Sequence, residues 1–345
     1  MSIYVNVTSY QNDDFPFQIF LGGRGTGKTF SALSMINDSE RSLLLVRRTA
    51  TEVEMLEDSA ARGEGLNPFK PINNVYKVNY GIKSMTKNLA GIYQRTEAEG
   101  KLNYVGAPLG YAVALTTMAT IRGADFSGIT DIIADEFIPE AHVKTIKNEA
   151  DAWFNLIETV NRNREFDGKP SVRVWFLANA NNLDNPLFQA LGLISEVEKM
   201  RKQNKTDRYI RSKGLAIHIL PDTGEFTAKK KETALYKLTE GSTFSEMALH
   251  NNFSYNDFSL VGYRNLSGYE PYCAIDDIYI YRKKGERLYY CSYAKSKVDN
   301  HYDTSKAHEV KQMCRKELHI LSEPYIRGQV YFETFDIKSR LLEYL

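Results

Sequence analysis

The run GGRGTGKT at residues 22–29 constrains this chain more than any other stretch. Gly22, Gly27, Lys28 and Thr29 match the spacing GxxxxGK[ST], and the run lies between the apolar segment FQIFL and a helical pattern over residues 30–37. Glycines let a backbone curl until successive N–H groups point at phosphate oxygens, and the positive end of the following helix adds to the attraction. The whole loop is therefore expected to hold ATP: Gly22, Gly23, Arg24, Gly25, Thr26 and Gly27 as the cradle, Lys28 on the β and γ phosphates, and the Thr29 hydroxyl on Mg2+.

Such a loop needs a carboxylate-bearing strand beside it. The segment IIADE, residues 132–136, is an apolar run that ends abruptly in two acids. At the carboxyl edge of a parallel sheet, Asp135 is expected to complete the metal shell and Glu136 to act as general base on water. Read alone, an apolar strand ending in Asp-Glu is a surface terminus; paired with the loop it reads as a site. A further strand, VRVWFLANANN, ends in Asn179 and Asn181, and Asn179 is expected to sense the γ-phosphate, the alternative being that both asparagines merely shape a turn. Arg47 and Arg48 close another strand, LLLVRR, where they either contact nucleotide or remain surface charge.

Apolar runs at residues 17–21, 43–46, 112–116, 129–134, 172–177 and 215–220 read as strands buried on both faces, and residues 148–162 as an amphipathic helix carrying Trp153, Leu156, Ile157 and Val160 on one side. Strands alternating with helices predict an α/β fold, a mainly parallel sheet with helices on both faces. Between residues 199 and 231 ten Lys or Arg oppose only Asp207, Asp222 and Glu225, the texture of a surface connector. Beyond 255 aromatics and turns accumulate, and CAIDDIYIYRKKGERLYYCSY reads as two strands about residues 283–286, followed by a helix over 305–318. The expected organisation is a motor domain over 1–220, a linker or lid over 221–255 and a small α/β domain over 256–345.

With 345 residues, 43% of them hydrophobic, the chain can bury a large core. Its net charge of +1 leaves any nucleic-acid surface to local clusters. Cys273, Cys291 and Cys314 are odd in number and lack CxxC spacing, which argues against a disulfide framework or a zinc site. The sequence has no leader pattern and no apolar stretch of membrane-spanning length, so a cytoplasmic location without membrane partners is expected.

Arg162 and Arg164, in ETVNRNRE, follow the amphipathic helix. There they either complement its dipole or act as arginines delivered into a neighbour's site, and Arg122, in TIRG, is a second candidate for that role. Taken together, GGRGTGKT, LLLVRR, IADEF, ETVNRNRE and FLANANN occur in an order and at spacings that resemble the DNA-packaging ATPases of small short-tailed phages of the Picovirinae type, compact relatives of the terminase large subunit. The resemblance covers the first 220 residues and extends weakly beyond.

The resemblance implies a P-loop core of the additional-strand, catalytic-glutamate type. It also implies a homomeric ring, commonly pentameric, that drives double-stranded DNA into a procapsid through its portal in the host cytoplasm. Some members dock on a small packaging RNA. It makes Arg162 a trans-acting finger, with Arg122 at the position of a second trans-acting residue, and makes the C-terminal domain RNase H-like. Here Asp276 and Asp277, read as neighbours on opposite faces of a strand, give no complete metal cluster. Lost cleavage is therefore expected, with Arg282, Lys283, Lys284, Arg287, Lys295 and Lys297 interleaved with Tyr279, Tyr281, Tyr289 and Tyr293 as a surface for nucleic acid or portal. The alternative is a terminase with an active metal-dependent nuclease. A metabolite kinase is disfavoured by the strand-final Asp-Glu pair, and a non-hydrolytic nucleotide switch by Glu136.

Overall fold

A computed structural model describes residues 4–58, 66–98, 101–121, 123–139, 143, 146–179, 182–220, 224–242, 245 and 256–345. The chain forms two compact units, Met1–Ala190 with Met200–Tyr255, and Leu191–Lys199 with Asn256–Leu345. Residues 224–238, within the segment expected to be a linker or lid, belong to the first unit.

The first unit is built on a nine-stranded sheet in the order β3-β4-β5-β2-β6-β7-β1-β9-β8. Its strands are β1 (Phe17–Gly22), β2 (Leu43–Arg47), β3 (Tyr80–Thr86), β4 (Leu89–Ala98), β5 (Lys101–Ala114), β6 (Asp131–Asp135), β7 (Arg173–Asn179), β8 (Asp207–Ile210) and β9 (Leu215–Ile219). Neighbours from β5 through β2, β6, β7 and β1 to β9 run parallel. Strands β3, β4 and β8 add antiparallel edges. Strand β7 lies between β1 and β6, so the loop strand and the acid strand are not direct neighbours.

Six of these strands match the apolar runs read from the sequence. The β3–β4 extension does not: in YGIKSMT and LAGIYQRTEA burial is concentrated toward one end, giving a half-exposed pattern without a continuous run.

Alternation along the central strands divides the core. Helices α1 (Lys28–Leu33), α2 (Ala50–Leu56) and α3 (Lys70–Tyr76) send Ala32, Leu33, Val53, Leu56 and Ile72 into the cluster that contains Phe20, Leu45, Ile133 and Trp175 on one face. On the other, α4 (Glu149–Asn161) buries Trp153, Leu156 and Val160, and the Trp153 ring meets Phe176 of β7 edge-on at 5.5 Å. The Leu, Val and Ile side chains among these each contribute about 1.5–3 kcal/mol by leaving water. Helix α4 runs back across the sheet: the Glu149 carboxylate at its start reaches Arg48, which follows β2, and Asn161 at its end accepts from the Val172 N–H just before β7. Helices α5 (Pro186–Leu191), α6 (Ile194–Lys202), α7 (Gly224–Lys231) and α8 (Ala234–Leu238) follow in the chain.

The second unit holds a five-stranded sheet in the order β13-β10-β11-β12-β14, from β10 (Tyr269–Ile275), β11 (Ile278–Lys283), β12 (Tyr289–Ser292), β13 (His301–Tyr302) and β14 (Val330–Phe332). Three antiparallel strands, not two, occupy the stretch read as one hairpin, because Asp276 and Asp277 form a turn of their own, with Asp276 at φ +50°. They are therefore not opposite faces of a strand. Asp276 accepts from the N–H and hydroxyl of Thr304, and Asp277 accepts from Arg340 at 2.8 Å.

The expected aromatic and basic surface is also divided. Tyr281 and Tyr289 are buried, while Lys283, Lys284 and Arg287 pair with Glu286, Glu270 and Glu323. The helix expected over 305–318 is Ala307–Met313, continued by a π turn, Cys314–Leu318, and a further helix, His319–Ile326. Among the described residues no group of three acidic, His or Cys side chains is arranged to hold a metal ion, and no helix is long and apolar enough to cross a membrane.

Candidate nucleotide site

The loop between β1 and α1 turns on two glycines with positive φ, Gly25 at +74° and Gly27 at +96°, a conformation that side chains with a Cβ adopt at a cost. Helix α1 then begins at Lys28, two residues earlier than its apolar pattern suggests. The Lys28 side chain folds back into the loop, its Nζ donating to the carbonyls of Gly22 (3.1 Å) and Gly23 (2.8 Å) and to Asn179 Oδ1 (3.3 Å). Burial lowers its pKa to about 8, against the opposing pull of Asp135 and Glu136. A buried ammonium held by neutral oxygens gains from an anion placed among them.

Thr29 Oγ1 donates to Asp135 Oδ1 at 2.7 Å, so the two expected metal ligands from distant segments touch. These are hard oxygen donors at a strand end, a set that suits Mg2+. Burial raises the Asp135 pKa, with Arg47 and the Thr29 bond working against the rise. The Arg47 guanidinium bridges both acids through Nη1, 3.1 Å from Asp135 Oδ2 and 3.0 Å from Glu136 Oε2.

Glu136 has φ +56°, rare for a residue with a side chain. That twist ends β6 and leaves its carboxylate 63% exposed at the mouth of the site. A cavity of about 640 Å3 spans this ensemble, lined by the loop, Asp135, Glu136 and Asn179 together with apolar side chains.

The remaining expected residues are distributed differently. Arg48, expected beside the nucleotide, is buried in a two-pronged pair with Glu149 (Nε–Oε1 2.9 Å, Nη2–Oε2 2.8 Å) that joins β2 to α4. Glu149 gave no signal in the sequence beyond an acid in a helix's first turn. Arg24 lies exposed on the loop, and its carbonyl accepts a hydrogen bond from Lys230 of α7, about two hundred positions away. That contact, too, had no local signature. Arg122 and Asn181 lie outside the described residues.

Arg162 caps α4 with φ +42°, and its guanidinium donates to the Ala124 carbonyl at 2.8 Å, while Arg164 donates to the Ile129 carbonyl. Ile129 precedes β6, whereas Asp135 ends it; six residues of extended chain separate the two levels by roughly 20 Å. One copy therefore does not bring these arginines to its own cavity.

A family model described as "Podovirus DNA encapsidation protein (Gp16)" matches residues 72–309. Curated DNA packaging proteins of Bacillus phages are similar in sequence: that of phage B103 is 33% identical over 149 residues, and that of phage phi29 is 31% identical over 157. The aligned parts take in 43% and 45% of this chain, and 42% and 43% of those proteins, less than half the length of each. Two solved structures share the fold along nearly the whole chain. The phi-29 viral genome packaging motor assembly has a TM-score of 0.65 at 21% identity, covering 99% of this chain and 98% of that one. The phi-28 gp11 DNA packaging motor has 0.61 at 18%, covering 98% and 95%. The family model takes in more than half of the residues, and the chain belongs to the podovirus DNA encapsidation protein (Gp16) family.

Proposed function

We propose that this chain is the ATP hydrolase of a phage DNA-packaging motor, working with Mg2+ as one copy in a homomeric ring, a pentamer by the family resemblance. The observation that carries the proposal is the meeting at one sheet edge of the Thr29 hydroxyl with Asp135 and of the Lys28 ammonium with Asn179, with Glu136 beside them. The relatives' names supply the cargo: DNA packaging. Separation of β1 from β6 by β7 supports the additional-strand, catalytic-glutamate class.

In this reading the loop N–H groups and Lys28 hold the phosphates, and Lys28 exchanges its carbonyl partners for phosphate oxygens. Thr29 and Asp135 hold Mg2+, which supplies charge neutralisation on the β and γ phosphates. Asn179 senses the γ-phosphate. Glu136, released from Arg47, accepts a proton from the attacking water.

Arg162 serves the next copy's site, since it lies too far from its own. Arg122 is the second candidate for that role. The ring acts on double-stranded DNA at the portal vertex of a procapsid in the host cytoplasm, and a packaging RNA is a further partner suggested by the resemblance. The second unit reads as an RNase H-like domain without cleavage. Supporting this are its antiparallel three-strand meander with β13 parallel to the first strand, and the engagement of Asp276 and Asp277 by Thr304 and Arg340.

The test is complementation. Arg162→Ala and Lys28→Ala proteins are each expected to be inactive alone and to regain turnover on mixing, because each supplies what the other lacks. Absence of recovery in a mixture that still assembles would refute delivery in trans.

A further inference from the structure

The phosphate-holding groups account for only part of the wall of the 640 Å3 cavity. Tyr4, Phe30, Pro71 and Val75 also line it, and these offer rings, a pyrrolidine and methyl groups with no carboxylate or amide side chain. Two of these groups are exposed, Tyr4 at 54% and Val75 at 62%. The wall is also fixed in place. Phe30, directly after Thr29, stacks on Tyr76 of α3 with ring centroids 6.4 Å apart and planes 18° from parallel.

Tyr4 is held by a short segment latched to the loop. The Val5 N–H donates to the Thr26 carbonyl at 2.9 Å, the Val7 N–H donates to Ser31 Oγ at 2.9 Å, and Ser31 in turn donates to Asn6 Oδ1 at 2.7 Å. The Tyr4 Cβ sits so close over Gly27 that a Cβ at position 27 would lie 3.0 Å from it. A flat apolar group continuous with a phosphate cradle, bounded by one aromatic ring and an aliphatic face, has the chemistry of a seat for a nucleobase.

We propose that this part of the cavity seats the base of the nucleotide, with Tyr4 stacking on one face and Val75 and Pro71 of α3 closing the other. The segment of residues 4–7 is then part of the site: its hydrogen bonds to Thr26 and Ser31 tie the base wall to the loop that holds the phosphates. This inference rests on the ATP reading, and its test separates the two.

The full-length protein is titrated calorimetrically with Mg-ATP and, in parallel, with magnesium tripolyphosphate, which has the phosphates but no base. Tyr4→Ala and Val75→Asn, both at exposed positions, are each expected to weaken ATP binding about tenfold. Each should leave tripolyphosphate affinity within about twofold, a difference too small to correspond to a lost stacking contact. Tyr4→Trp is expected to keep ATP affinity.

Unchanged ATP affinity in both variants would overturn the proposal, as would equal losses for both ligands, which would mean that Tyr4 acts only through the loop. If the wild-type protein binds neither ligand, the ATP reading and this inference fall together; binding of tripolyphosphate with the base-end variants silent removes this inference alone.

Discussion

Strand β6 begins and ends in a buried aspartate, and the two are treated in opposite ways. Asp131 is saturated. Arg173 donates to both of its oxygens (2.9 and 3.3 Å), Trp175 Nε1 and Arg41 donate to Oδ1 (2.9 and 3.3 Å), and Thr130 donates to Oδ2 (2.7 Å). Asp135 has one hydroxyl from Thr29 and one edge of a guanidinium it shares with Glu136, and its burial outweighs them, since its pKa is raised. Asp131 is surrounded by fixed donors, whereas Asp135 is left short of them, as the proposed role of receiving a cation requires.

The sharpest way to break this comparison is to neutralise each acid without changing its shape. Asp135→Asn is expected to lower ATP turnover by about 10²–10³-fold, the scale seen when one electrostatic partner of a transition state is lost. The melting midpoint should move little, because few donors lose a partner. Steady-state phosphate release and a denaturant titration decide it, and a large stability loss with retained turnover would reverse the assignment.

Asp131→Asn is expected to do the converse. It should cost about 2–3 kcal/mol of folding stability as charged hydrogen bonds to the half-buried Arg173 and Arg41 are weakened, with turnover per folded molecule nearly unchanged. Urea unfolding followed by circular dichroism reads this directly.

The smallest effect is one of protons. With the Lys28 pKa lowered to about 8 in the empty site, the charged form that attracts phosphate is complete below that pH and is lost above it. ATP affinity is therefore expected to be flat on the acid side of about 8 and to fall by up to about tenfold per pH unit beyond it, until the bound-state pKa is reached. Binding near pH 8 should take up a proton, which calorimetry in buffers of different ionisation enthalpy detects. Lys28→Arg should remove this pH dependence, because a guanidinium stays charged throughout.

What could be read from the sequence follows from the range of the interactions involved. The loop is local: eight consecutive residues carry both its conformation and its chemistry, and an apolar strand ending in Asp135 and Glu136 is equally self-declaring. The parallel core was legible because its strands are buried on both faces and read as unbroken apolar runs. The β3–β4 extension is half exposed and has no such run. Tyr4, Glu149 and Lys230 escaped because their roles are made by contacts with Thr26 (through the neighbouring Val5), Arg48 and Arg24 far along the chain. Arg47 and Arg48 are adjacent and identical in type, yet one bridges Asp135 and Glu136 and the other is locked to Glu149. Arg47 ends β2 and Arg48 follows it, and only packing decides the surroundings each of them meets.

The spacing between the ends of β6 has an arithmetic consequence. Asp135 stands at one edge of the sheet, and Arg162 follows α4 near the level where the strand starts. Were Arg162 to serve another copy, as proposed, through a surface separate from the one that receives the neighbour's arginine, assembly would run head to tail rather than by reciprocal twofold contact. A head-to-tail row of n molecules then holds n−1 complete sites, and the last becomes complete only when the row closes on itself. Hydrolysis by such a chain would count subunits: per-molecule turnover should rise with assembly length and jump at closure.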